Sequence, residues 1–166
     1  MQKNNRKRWS FIINAFCIIA LFILRYSSLL TLKIGQASPI TLIPFVIAVS
    51  IFWGSGYGAV AGFFSGVLMD GVLTDSSCFN TIALMFLGAL CGVLSSHYLN
   101  KNIKSAICLS LGGVFAYLFL KLTIFYSFKE ISIGAEYFAS YFIPTIFYTA
   151  LFIIPFYFLE RKLSNI

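Results

Sequence analysis

The chain has 166 residues, of which 60% are hydrophobic and 10% are charged, whereas about 25% of the residues in an average soluble domain are charged. A soluble core could not bury so much apolar surface, so the composition predicts a protein that is embedded in a lipid bilayer. The formal net charge of +7 does not indicate a nucleic-acid partner, because the basic residues lie at the chain ends and in short gaps between apolar runs.

Six apolar runs predict an all-α integral membrane protein of about six transmembrane helices. The fourth, fifth and sixth runs are each near the length that spans a bilayer core. The first run follows a basic stretch, but it is long and lacks a small-residue cleavage site, so we interpret it as a retained helix and not as a cleaved signal peptide. The predicted helices cover residues 9–30, 39–53, 57–74, 79–99, 105–126 and 137–159. Residues 1–166 thus form a single predicted transmembrane domain.

The second run is the least regular of the six. It is short and contains Pro44, so two structures are open for it: a tilted helix whose neighbours satisfy the carbonyl freed by the proline, or a re-entrant segment. The sequence Gly54-Ser55-Gly56 follows directly. This glycine-rich break predicts a helical hairpin between the second and third runs.

Charge asymmetry predicts the orientation, since Lys and Arg of short loops stay preferentially in the cytoplasm. If both termini are cytoplasmic, the outer loops hold two basic residues, Lys33 and Lys129. The inner segments then hold Lys3, Arg6, Lys7, Arg8, Lys101, Lys104, Arg161 and Lys162. We therefore expect an N-in, C-in topology.

Small residues recur at four-residue spacing in two of the helices. The third helix has such a ridge followed at the next step by Asp70, and the fourth helix has a second, weaker ridge. Ridges of this kind let two helix backbones approach closely. The residues are Gly58, Gly62 and Gly66 in the third helix, and Gly88 and Gly92 in the fourth. They predict either packing within the bundle or an interface with a partner protein.

Charged side chains inside a bilayer need a partner or a route to the interface. Arg25, Asp70 and Lys121 each lie shortly before the outer end of a helix in the predicted topology, so they share one intramembrane polar layer. This layer is open to three interpretations: an ion-pair network, snorkelling of the two basic side chains, or a ligand site. Asn14 falls on nearly the same face of the first helix as Arg25, which predicts that this face points into the protein.

The sequence contains no pattern that is typical of a catalytic or metal site. The cysteines have no C-x-x-C spacing, and His97, the only histidine, is expected at the end of the fourth helix as an interfacial residue. No acid pair, no nucleophile with a base and no phosphate-binding loop is recognisable. We therefore expect no cofactor, no metal, no catalytic residue and no enzymatic activity. The four cysteines are Cys17, Cys78, Cys91 and Cys108.

Several segments together resemble the rod shape-determining protein MreD family. The glycine ridge that ends in Asp70, GAVAGFFSGVLMD at residues 58–70, is similar to the family's third helix. Other similar segments are SPITLIP at 38–44, FN at 79–80, IPTIFYT at 143–149 and PFYFL at 155–159.

This resemblance implies a non-enzymatic component of the bacterial cell-elongation machinery in the cytoplasmic (inner) membrane. Such a protein binds the bitopic protein MreC and links the MreB cytoskeleton to peptidoglycan synthases. The family's fold is similar to that of the substrate-binding subunits of energy-coupling-factor vitamin transporters, which is the alternative function. Those subunits usually dock through an Ala-xxx-Ala face in helix one, whereas Ala15 and Ala20 are five residues apart here. A structural membrane protein of neither class is the third possibility.

Overall fold

The computed structural model describes residues 2–26, 40–72, 78–97, 102–129 and 143–165. Side chains are described at 10–24, 40–72, 78–97, 102–124, 145–147 and 149–164. These ranges are helical apart from short turns, and none of them contains a strand. The predicted all-α class is therefore confirmed for this part of the chain.

Seven helical segments make up the described ranges, and the last two adjoin as one broken rod. They are α1 (Gln2–Tyr26), α2 (Leu42–Trp53), α3 (Ser55–Val72), α4 (Phe79–His97), α5 (Ile103–Lys129), α6 (Ile143–Leu151) and α7 (Ile153–Asn165). Two stretches, Phe79–His97 and Ile103–Ile124, are long and apolar enough to cross a membrane by length and composition. Ser10–Leu24 and Leu42–Trp53 are shorter apolar helices.

The core of the fold is α2, which is surrounded by other helices. Every residue from Leu42 to Ile51 is buried, and α2 packs against α1, α3, α4, α5 and α7. Pro44 lies in its first turn, where an N–H would have no acceptor within the helix, so the proline does not interrupt it.

The 12 residues of α2 extend about 18 Å. Crossing a hydrocarbon core about 30 Å thick would require roughly eight more helical residues.

A single non-helical residue, Gly54, joins α2 to α3. Its φ of 91° lies in the region that glycine adopts without strain, and its N–H donates to the Ser50 carbonyl at 3.0 Å. Ser55 already belongs to α3. The predicted helical hairpin is present, and the break that the sequence placed at 54–56 is confined to Gly54.

Other helix ends differ from the predicted ones for identifiable reasons. The outer helices extend beyond their apolar runs, α1 starting at Gln2 and α7 continuing to Asn165, because Lys, Arg, Gln and Glu are good helix formers. The predicted sixth helix is divided at Phe152. Pro155 has no N–H for the Leu151 carbonyl, and its ring would clash with that carbonyl in a continuous helix.

Candidate functional site: a glycine interface and two buried polar clusters

The glycine ridge of α3 is pressed against the backbone of α4. A Cβ on Gly62 would lie 2.6 Å from the carbonyl carbon of Leu84, and a Cβ on Gly66 would lie 2.7 Å from the carbonyl oxygen of Asn80. Real Cβ atoms do not approach backbone atoms so closely. The contact therefore requires glycine at these positions, as expected where small residues let two helices meet.

The glycines of α4 meet α3 and its preceding turn in the same way. A Cβ on Gly88 would lie 2.7 Å from the carbonyl carbon of Gly58, and a Cβ on Gly92 would lie 2.8 Å from that of Gly54. The five predicted interface glycines thus meet in one contact between α3 and α4. By contrast, a Cβ on Gly71 of α3 would have no atom within 4 Å.

Asp70 caps the N-terminus of α4 from the neighbouring helix. Its Oδ1 accepts hydrogen bonds from the Asn80 backbone N–H at 3.2 Å and from Asn80 Nδ2 at 2.7 Å. Its Oδ2 accepts from the Thr81 backbone N–H at 2.8 Å and from Thr81 Oγ1 at 2.6 Å. First-turn N–H groups have no acceptor within their own helix, and the helix dipole favours an anion there. The carboxylate therefore fixes the end of α3 to the start of α4.

Tyr117 extends this cluster to α5. Its ring is buried, and its hydroxyl donates to Asn80 Oδ1, so Asn80 joins α3 on one side to α5 on the other. We call Asp70, Asn80, Thr81 and Tyr117 the Asp70 cluster. The sequence predicted a role for Asp70 but not for Asn80 and Thr81. Their pairing with Asp70 depends on the packing of α4 against α3.

The structure gives a partial view of the predicted polar layer. Asp70 has the partners described above, and Lys121 is partly buried on α5. The side chain of Arg25 lies outside the described residues. The layer as a whole therefore stays a prediction. The predicted inward face of α1 is buried at Asn14 and Ile18.

A second polar cluster surrounds Glu160, which is fully buried on α7. Trp53 Nε1 donates to Glu160 Oε2 at 2.8 Å, and the Asn14 amide of α1 lies close to the same carboxyl. Glu160 Oε1 and Asn14 Oδ1 are both buried without a hydrogen-bond partner. We call these three residues the Glu160 cluster.

Burial dominates the electrostatics of this cluster. Glu160 directly follows the last predicted span, and burial raises the pKa of its carboxyl to about 7, against the lowering effect of the Trp53 and Asn14 hydrogen bonds. Sequence reasoning missed Glu160 because it opens the segment Glu-Arg-Lys after an apolar run, a pattern typical of a solvated helix end. Its full burial depends on the packing of α7 against α2.

An apolar cleft of about 310 Å³ lies beside Asn14, between α1, α2 and α3. Ile18, Val49, Ala61 and Leu68 contribute to its lining. Its volume is at the lower end of the range for ligand pockets, which are apolar with a few polar groups. Among the described residues, no group of three or more His, Cys, Asp or Glu is placed to hold a metal ion.

Comparison with known proteins gives no relative from which a function could be transferred. No protein-family model matches the chain, and no curated protein or solved structure matches it significantly.

Proposed function

We propose that this chain is a multi-pass protein of the bacterial cytoplasmic membrane and a non-enzymatic component of the machinery that elongates rod-shaped cells. In this role it binds a bitopic MreC-like protein and, through it, connects peptidoglycan synthases with the MreB cytoskeleton. The proposal derives from the family resemblance of the sequence and is supported by two properties of the fold.

The first property is the distribution of apolar surface. Large hydrophobic side chains are exposed on the outside of the bundle, for example Phe16 (72%), Ile82 (68%) and Phe147 (67%), whereas the Asp70 and Glu160 clusters lie between helices. A water-soluble monomer rarely exposes extensive apolar patches. Surrounding lipid would keep these side chains out of water, which supports a membrane location. Six helical rods would then be embedded in the membrane, with α6 and α7 counted as one.

The second property, on which the proposal chiefly rests, is the structural use of the segment that carries the resemblance. Residues 58–70 contain the three glycines that contact α4 and the aspartate that caps it. These residues hold two helices in a fixed relation and present no reacting group. Such a use fits a scaffold that offers a defined surface to other membrane proteins.

One observation favours the alternative, a substrate-binding subunit of an energy-coupling-factor vitamin transporter. The cleft beside Asn14 has the size of a small ligand pocket. Its lining is nearly all apolar, however, and recognition of a polar vitamin needs several convergent polar groups. We therefore keep the transporter function as the alternative.

Depletion of the protein in its bacterial host tests the proposal. We expect rod-shaped cells to become round, and shape to be restored by the wild-type chain and by the control Gly71→Ala. Gly62→Leu, which forces α3 from α4, should fail to restore shape when its membrane level is normal. Cells that stay rod-shaped after complete depletion would contradict the proposed role.

A further inference from the structure

We infer that Glu160 and Asn14 form a proton-binding site, in which Glu160 is a neutral acid that donates a hydrogen bond from Oε1 to Asn14 Oδ1. The proton is the ligand, and the site joins α1 to α7. Nothing in this site depends on which proteins the chain binds.

The hydrogen-bond inventory of the cluster carries this inference. An ionised carboxylate and an amide oxygen are both acceptors only, and the two buried oxygens without a partner, Glu160 Oε1 and Asn14 Oδ1, belong to neighbouring groups. Burial of unsatisfied acceptors is unfavourable, and burial of an unpaired charge is more so. One proton on Oε1 removes the charge and supplies a donor for the second oxygen. A rotation of the Asn14 amide about Cβ–Cγ is enough to present that oxygen.

The neighbouring helices do not supply a counter-charge in the described part of the chain. The segment Leu42–Trp53 of α2 contains no titratable residue. Among the described side chains of α1, the thiol of Cys17 interacts electrostatically with Glu160. The ring of Tyr57 of α3 lies 6.0 Å from the ring of Trp53 between centroids, at an interplanar angle of 54°. Two further titratable side chains near this end of the bundle are buried, Tyr157 of α7 and Cys91 of α4, and neither residue type can carry a positive charge. The other described titratable groups at this end are exposed: Arg161 and Lys162 of α7, Lys104 and Cys108 of α5, and His97 of α4.

Loss of the proton would change the attachment of α1. This helix packs on α2 and α3, and Asn14 lies at the edge of the apolar cleft between them. When Glu160 is ionised, it has no proton to donate to Asn14 Oδ1. The Asn14 amide can then contact the carboxylate only by donating from Nδ2, which leaves Asn14 Oδ1 buried without a partner. Trp53 Nε1 then donates to a charged carboxylate, so the fluorescence emission of Trp53 should report the protonation of Glu160.

Infrared spectroscopy of the full chain in phosphatidylcholine nanodiscs tests the site. We expect a protonated-carboxyl C=O band at mildly acidic pH that disappears on titration to alkaline pH and is absent from Glu160→Gln. The band should persist in Asp70→Asn, because the four hydrogen bonds of Asp70 are all accepted by its carboxyl oxygens. A wild-type spectrum without the band, or a band unchanged in Glu160→Gln, would overturn the inference.

A second variant and a second signal keep the test independent of the folding of Glu160→Gln. Asn14→Leu retains Glu160 but removes its acceptor, so the C=O band should shift in frequency; an unshifted band would exclude Asn14 as the acceptor. With Trp9→Phe, Trp53 is the only tryptophan left, and its emission should titrate with pH while Glu160 is present. Emission that is independent of pH would contradict protonation of the hydrogen-bonded carboxyl.

Discussion

Gly62 in α3 lies directly against Leu84 in α4, so close that a Cβ on Gly62 would be 2.6 Å from the Leu84 carbonyl carbon. The same close approach continues from Gly58 to Gly66. It brings the end of α3 beside the start of α4, where Asp70 reaches the first-turn N–H groups. The glycine contact and the carboxylate cap therefore stabilise one arrangement of the two helices.

Gly62→Ala should destabilise the protein, because the added methyl group meets backbone that cannot rotate away. Overpacking of this kind costs about 1–3 kcal/mol, which should lower the thermal unfolding midpoint of the purified protein. Gly71→Ala is the matched control on α3, since its Cβ meets open space and alanine favours the helix by roughly 0.5–1 kcal/mol. Equal midpoints for the two variants would show that α3 and α4 are not in backbone contact.

Asp70→Asn should also destabilise the protein. The amide replaces one acceptor oxygen by a donor, which leaves two N–H or O–H groups of Asn80 or Thr81 without a partner, and loss of such hydrogen bonds costs about 1–3 kcal/mol. The charge interaction with the α4 N-terminus is lost as well. The measurement is the change in unfolding free energy in mild detergent.

A double-mutant cycle of Asp70→Asn with Thr81→Ala separates this contact from indirect effects. We expect an interaction energy of about 0.5–3 kcal/mol, as for residues in one hydrogen-bond network. Additive effects would argue against the cap. The same cycle with Lys121→Met tests the ion-pair interpretation of the predicted polar layer, which requires energetic coupling between Asp70 and Lys121.

Tyr117→Phe should weaken the attachment of α5 to the Asp70 cluster. The substitution keeps the buried ring but removes the donor to Asn80 Oδ1, at a cost of about 1–2 kcal/mol. Tyr57→Phe is the control because Tyr57 is exposed. A loss of stability no greater in Tyr117→Phe than in the control would show that this hydrogen bond does not stabilise the bundle.

Stability should depend on pH through Glu160. The pKa of this carboxyl is about 7 in the folded protein against an ordinary value of 4.5, so the folded state binds a proton that the unfolded state releases. The resulting stabilisation is complete below about pH 4.5 and is lost as the pH rises through about 7. Thermal unfolding of the wild type and Glu160→Gln across this range checks it: the variant should lack this component, and identical pH profiles would contradict the assignment.

The features that follow from local pattern were predictable from the sequence. The spacing of Gly58, Gly62 and Gly66 predicted a close-packing ridge, and Gly54 was part of the predicted break. These signals lie within one helix or one turn, where the period of the chain fixes which residues share a face.

The features that depend on tertiary packing were not predictable in the same way. Asn80 and Thr81 bond to Asp70 only because α4 returns beside the end of α3, and Glu160 is buried only because α7 packs on α2. The division of the last helix had a local cause in Pro155, but prolines are also tolerated within membrane helices, so the sequence did not decide between a kink and a break.

The identity of the binding partners tests the proposed function most directly. The tagged full-length protein would be solubilised from its native membrane in mild detergent, and the proteins that co-purify would be identified by mass spectrometry. We expect a bitopic MreC-like protein together with elongation-specific peptidoglycan synthases. Recovery of a coupling-factor membrane subunit with two ATPases, and no MreC-like protein, would contradict the cell-shape role and support the transporter alternative.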